Sequence, residues 1–189
     1  MANKNIKVYV AIALLFGAVG AYVSTRHHDA AGPLTTAIAP TPTGVPHTPV
    51  TELFAQSMND SAGKTQALAQ YKGKALLVNF WAPWCGPCVQ EMPELSALST
   101  EMGAKGINII GVGIDSPTNI AQFTTKYKIA YPIYVAGMAG TDLANKLGNT
   151  AGGLPYTVLI GADGQVKKTY LGKLKFDELK ADLAALKTS

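Results

Sequence analysis

Ala75-Leu76-Leu77-Val78-Asn79-Phe80-Trp81-Ala82-Pro83-Trp84-Cys85-Gly86-Pro87-Cys88 is the stretch on which the fold turns. Its first seven residues have the length and apolar, β-favouring composition of a buried strand, and Ala82-Pro83 ends it. Beyond Cys88, the apolar residues Val89, Met92, Leu95 and Leu98 recur every three or four positions, the period of one buried helix face. The two cysteines therefore sit at a strand-to-helix junction, with Cys85 at or just before the first helical turn.

A helix start has unpaired N–H groups and the positive end of the helix dipole, so a thiolate at Cys85 is favoured over the thiol. Free cysteine titrates near ~8.5, whereas the cysteines of Cys-X-X-Cys sites at helix starts titrate between about 3.5 and 7.5. Cys88, one turn further in on the same face, can close a disulfide with Cys85. Disulfide exchange needs an exposed attacking thiolate backed by an inner resolving thiol, and this spacing predicts that pair. Pro87 fits the first helical turn, where its missing N–H costs nothing.

Two other uses of paired cysteines compete. A structural disulfide closing so short a loop restrains the unfolded chain less than a long one does. A zinc site would need a second Cys/His pair, yet His47 stands alone in a linker and His27-His28 adjoins a hydrophobic segment. No metal ligand set is therefore assigned. Redox chemistry is the reading that the strand–Cys-X-X-Cys–helix context favours.

Val78-Asn79-Phe80-Trp81-Ala82-Pro83-Trp84-Cys85-Gly86-Pro87-Cys88 resembles the thioredoxin superfamily. Glu91 and Pro93 extend it to Cys-X-X-Cys-X-X-Glu-X-Pro, which is similar to the membrane-anchored TlpA/ResA-like thiol–disulfide oxidoreductases. The resemblance spans residues 51–189 and includes Leu154-Pro155-Tyr156-Thr157. It implies an α/β thioredoxin fold, a mixed central sheet flanked by helices, with an N-terminal hairpin and an inserted helix and strand. It also implies that Pro155 is the cis-proline packed near the disulfide, leaving Leu154 free to pair with an extended substrate. Gly152-Gly153-Leu154-Pro155 lies in a turn before a strand, where a cis X–Pro bond is tolerated. Plain thioredoxin keeps a buried aspartate where this chain has Asn79, and an amide cannot accept a proton from Cys88. The TlpA/ResA-like branch has asparagine there and a glutamate matching Glu91, so Glu91 is the expected proton acceptor, its pKa raised by burial. The competing reading is a solvated helix glutamate. Trp84 is expected as a lid beside Cys85, Trp81 as a structural residue, and Pro93 as a kink that shapes the site.

Around this centre the elements alternate. Leu53 to Met58 and Lys64 to Leu68 flank the turn-rich Asn59-Asp60-Ser61-Ala62-Gly63, suggesting a hairpin. Ile107 to Ile114 has the composition of a buried parallel strand. Ser116-Pro117 opens a helix to about Lys128 as cap and first residue. Short elements are expected at Tyr131–Val135 (strand) and Thr141–Leu147 (helix). Tyr156 to Ile160 and Gln165 to Leu171 flank Gly161-Ala162-Asp163-Gly164 as an antiparallel pair. Phe176, Leu179, Leu183 and Leu186 line a closing helix over 175–187.

The first fifty residues are of another kind. Asn3-Lys4-Asn5-Ile6-Lys7 is a basic start to the uncharged run Val8 to Thr25, a candidate signal-anchor segment over residues 1–25. An uncleaved anchor is favoured over a removed signal because Tyr22-Val23 carries the apolar character past the small-residue site Ala18-Val19-Gly20. Lysines on its N-terminal flank place that end in the cytoplasm and the domain outside. Residues 26–50, rich in Pro, Thr and Ala, form a linker ahead of the domain at 51–189. A net charge of +4, scattered along the chain, gives no nucleic-acid footprint.

The expected function is extracytoplasmic thiol–disulfide exchange by Cys85 and Cys88 with Glu91, with Trp84, Pro87, Leu154 and Pro155 on the substrate side. The only redox group expected is the Cys85–Cys88 disulfide, with no added cofactor. Expected partners are disulfide-containing exported proteins, apocytochrome c among them as the resemblance implies, and a membrane electron donor. Gly-Pro between the cysteines favours a reductant. A disulfide oxidase or isomerase is the runner-up, and a Cu(I)-delivery module using the two thiolates is a further alternative that lacks a third ligand.

Overall fold

The computed structural model describes residues 48–186, so the proposed membrane segment at 8–25 and nearly all of the linker lie outside the described residues. Among the described residues no helix is long and apolar enough to cross a membrane.

The first element is a helix, α1 (Pro49–Ala55), where the sequence suggested the arm of a hairpin from Leu53. Its start explains the difference. Thr48 Oγ1 accepts from the Thr51 N–H at 3.2 Å and Thr51 Oγ1 accepts from the Thr48 N–H at 2.9 Å, a reciprocal cap with Pro49 at the first helical position. Val50, Leu53 and Phe54 are then buried at helical spacing. The hairpin follows in shorter form, as β1 (Ser57–Asp60) and β2 (Thr65–Ala67). Asp60 closes its turn by accepting from the N–H groups of Ala62 and Lys64 through Oδ1 at 3.0 and 2.9 Å.

A single 3₁₀ turn (Leu68–Tyr71) leads into β3 (Ala75–Trp81), and α2 (Gly86–Gly103) leaves its far end. Next come β4 (Ile107–Gly113), α3 (Pro117–Lys126), β5 (Ile133–Val135) and α4 (Ala139–Lys146). The antiparallel pair β6 (Tyr156–Ile160) and β7 (Val166–Leu171) precedes the closing helix α5 (Phe176–Ala185). Ser116 caps α3 as expected, accepting from the Asn119 N–H.

All seven strands form one mixed sheet in the order β2-β1-β5-β4-β3-β6-β7. The central β3 runs parallel to β4 and antiparallel to β6, with Asn79 opposite Gly111 on one side and Thr157 on the other. Strand alternation splits the core in two. Leu77 and Trp81 join α2, α3 and α5 on one face; Leu76, Val78 and Phe80 join α1 and α4 on the other. Asn79 shares the first face, beneath the helix that follows the cysteines. A sheet covered on both faces is what the near-continuous apolar run of β3 implied.

Gly111 shows how tightly that face is filled. A Cβ there would lie 2.5 Å from Ile133 Cδ1, 3.0 Å from Trp81 Nε1 and 3.2 Å from Tyr131 Cε2. The isoleucine tip can shift, but the buried indole and phenol rings cannot both retreat from a dense interior. Gly111→Val is therefore expected to lower stability by roughly 2 kcal/mol through overpacking. Urea denaturation measures it, and a variant as stable as the parent would show that the space is slack.

Candidate active site

Cys85 is the N-cap of α2. Its Sγ accepts from the Cys88 N–H at 3.3 Å, one of the orphan donors of the first turn, so the helix start addresses this sulfur directly. The two cysteines are joined as a disulfide with Cα atoms 5.3 Å apart. Cys88 is fully buried at 0% exposure, and Cys85 keeps only 6%. Cys85 is thus less open than the sequence reading supposed: it belongs to the same buried cluster as Ala82 and Cys88, and its N–H donates to the Ala82 carbonyl at 3.1 Å. The order of access is nonetheless the expected one, outer Cys85 and inner Cys88. Trp84 beside them is 69% exposed, while Trp81 is wholly buried in the core. Pro87 occupies the exposed first turn, and Pro93 lies inside α2 facing solvent.

Glu91, one turn past Cys88 on the inner face, is 1% exposed. Its two oxygens have separate partners. Oε1 accepts from Asn79 Nδ2 at 2.8 Å, and Oε2 accepts from the backbone N–H of Leu174 at 2.9 Å. Asn79 Nδ2 also donates to Thr157 Oγ1 at 3.0 Å, so the network joins β3, β6, α2 and the segment after β7. Burial pushes the Glu91 carboxyl up to about 7; the Leu174 N–H, the Asn79 amide and the charge of Lys173 restrain the rise. Tyr131, buried on the same face, has its hydroxyl pushed up by burial and further by the Glu91 charge.

Leu154-Pro155 is a cis peptide. Because β6 runs antiparallel to β3, with Tyr156 opposite Phe80, the residues before β6 lie at the same sheet end as the residues after β3. That places Leu154 and Pro155 at the edge from which the cysteines emerge. Two backbone donors tie this edge together: the Gly172 N–H donates to the Pro155 carbonyl at 2.9 Å, and the Leu174 N–H holds Glu91. Gly172 has φ +85°, a conformation that suits glycine.

The sequence brought out Cys85, Cys88, Glu91, Trp84, Pro87, Leu154 and Pro155 but missed Leu174, Thr157 and the Gly172 link. Leu174 acts through its backbone, which leaves no side-chain signal; Gly172 after a strand was the visible hint. Among the described residues no three His, Cys, Asp or Glu side chains converge as a metal site.

A profile of the Redoxin family matches residues 40–183. The thiol-disulfide oxidoreductase ResA of Geobacillus thermodenitrificans is 31% identical over 131 residues, covering 69% of this chain and 73% of that protein. ResA of Bacillus thuringiensis is 33% identical over 130 residues, covering 67% and 71%. The crystal structure of a thioredoxin-family thiol:disulfide interchange protein from Chlorobium tepidum superposes with a TM-score of 0.62. It is 25% identical and covers 69% of this chain and 92% of that one.

A carboxyl that titrates near 7 when folded and near its ordinary 4.5 when unfolded makes stability depend on pH. Between these values the folded chain holds a proton that the unfolded chain has released. The contribution is full below about 4.5 and is lost as pH rises through about 7, a fall of roughly 3 kcal/mol. The disulfide form isolates this effect, since its cysteines do not titrate. Urea denaturation across this window should show the fall in the parent and a flatter profile in Glu91→Gln; equal slopes would place the titration elsewhere.

Proposed function

Since the chain belongs to the redoxin family, as a thioredoxin-fold thiol–disulfide oxidoreductase of the TlpA/ResA-like branch, we propose that it reduces disulfides of exported proteins on the extracytoplasmic side of a membrane. Residues 1–25 serve as its anchor and residues 26–47 as its tether, since Thr48 caps α1 and Pro49 and Val50 belong to it. The observation that carries this reading is the graded pair at the start of α2, an outer Cys85 at the helix cap and a buried Cys88 backed by Glu91.

In the proposed exchange, Cys85 and Cys88 begin as thiols, and Cys85 ionises first because the cap position favours its thiolate. The Cys85 thiolate attacks one sulfur of the target disulfide. A Cys85–target bond forms, the target S–S bond breaks, and the departing target thiolate takes up a proton. Cys88 then gives its proton to the Glu91 carboxylate and attacks Cys85 Sγ. The Cys85–Cys88 bond forms as the second target thiolate leaves and is protonated. Two electrons and two protons have passed to the target. A pKa near 7 lets Glu91 accept a proton from Cys88 and release it again at neutral pH.

Leu154 makes no backbone hydrogen bond among the described residues, which supports its pairing with an extended target segment beside cis-Pro155. Trp84 and Pro87, exposed on either side of Cys85, complete the docking edge. Gly-Pro between the cysteines supports the reducing direction. A membrane electron donor then restores the dithiol, because the periplasm is kept oxidising. Apocytochrome c cysteines are the leading targets on the strength of the branch. The disulfide pair is the redox group, with no added cofactor.

Cys88→Ser tests this reading. Without the resolving thiol, mixed disulfides should accumulate on Cys85 in living cells, fractionate with membranes and contain exported proteins. Complexes through another residue, or with cytoplasmic partners in the soluble fraction, would contradict it.

A further inference from the structure

Five large hydrophobic side chains are exposed among the described residues, and three of them surround the redox edge. Trp84 and Met138, at 69% and 79% exposure, line one groove of about 730 Å³ together with Ile114, Val135 and Leu154. Leu171 packs at the other side of the Leu154 loop, its Cδ1 3.0 Å from where a Cβ on Gly153 would stand. Exposed apolar side chains gathered in this way mark a docking surface rather than ordinary scatter. The groove opens where the loops leave the C-terminal ends of the parallel strands β4 and β5, the usual ligand position of such sheets.

One charged side chain lines the groove, Asp115. Its Oδ1 is occupied, accepting from the Ser116 N–H at 2.6 Å and from Asn119 Nδ2 at 2.7 Å. These bonds fix the carboxylate, and its Oδ2 has no partner among the described residues. No lysine or arginine lines the groove to receive an anion. The groove is also continuous with Trp84 and Leu154, so a segment lying along Leu154 with its cysteine at Cys85 runs straight into it.

Within this docking edge, we propose that Asp115 is a specificity residue for polypeptide disulfides: it takes a lysine or arginine of the extended segment whose apolar side chain, next to the target cysteine, enters the groove. This deepens the disulfide-exchange reading and rests on it. The occupant is a cationic, apolar stretch of an unfolded polypeptide, in preference to a small anionic disulfide. Met138 supplies adaptable and Trp84 rigid apolar contact in the lining, and Asp115 supplies selection by charge.

Single-turnover mixing of the reduced full chain with disulfide-linked dimers of a heptapeptide tests it. In the reference peptide the central cysteine is flanked by leucine and lysine. Two relatives carry glutamate for the lysine or glycine for the leucine, and hydroxyethyl disulfide serves as a neutral probe. The reference peptide should react about fivefold faster than the glutamate peptide at low salt, with the gap closing as salt is added. Replacing leucine by glycine should cost at least about tenfold. Asp115→Lys should invert the lysine-to-glutamate rate ratio, and Met138→Ser should shrink the leucine-to-glycine ratio. Ratios within each variant cancel any general change in activity. An unchanged lysine-to-glutamate ratio in Asp115→Lys, or equal rates for all peptides, would overturn the proposal. Failure of the parent to reduce even hydroxyethyl disulfide would instead overturn the exchange reading beneath it.

Discussion

A carboxyl group held out of water beneath a disulfide is the constraint around which this domain is arranged. Burying an ionisable carboxyl costs several kcal/mol unless hydrogen bonds replace the lost water. Glu91 receives two such bonds, from the side chain of Asn79 and the backbone of Leu174. They are enough to hold the group in place and too few to keep it fully ionised, so its pKa settles at about 7. The same bonds fasten α2 to β3 and to the segment after β7. Loosening them would disturb both the protonation of Glu91 and the seat of the helix that bears the cysteines.

Topology does the rest. A central strand parallel to β4 and antiparallel to β6 gathers the end of β3 and the start of β6 at one edge of the sheet. The cysteine helix, cis-Pro155 and the groove beside Asp115 therefore belong to one surface, although their residues come from distant parts of the chain. Access along that surface is graded. Trp84 stands in solvent, Cys85 is nearly covered, and Cys88 and Glu91 are shut in. In the proposed exchange this grading decides which sulfur meets the target and which waits behind it.

Much of this was legible in local sequence. Ala75–Trp81 coincides with β3, and Cys85 caps the following helix, because an apolar run followed by a 3.6-residue period allows few other structures. The later strands and helices fell within a few residues of their expected places for the same reason. Pro155 as a cis residue came from the family resemblance rather than from the chemistry of the turn. Residues 53–55 were misassigned because a two-threonine cap lies just upstream of them and outweighs their strand-like composition. Long-range contacts were less visible still. Leu174 meets Glu91 across 83 positions through a backbone N–H, a group every residue but proline carries, so no residue type announces it. Asp115 and Met138 were silent for a similar reason, since only the folded loops after β4 and β5 bring them to one groove.

The central claim is that Glu91 takes the proton of Cys88 as the mixed disulfide resolves. Its most direct test is the rate of that resolution against pH, with reduced parent and Glu91→Gln each mixed with a small neutral disulfide. The parent should show a rising limb with an apparent midpoint near 7, the form that accepts a proton being the carboxylate. Glu91→Gln should lose that limb and resolve roughly 10²-fold more slowly at neutral pH. Superimposable profiles for the two proteins would contradict the account and leave Glu91 a structural carboxyl only.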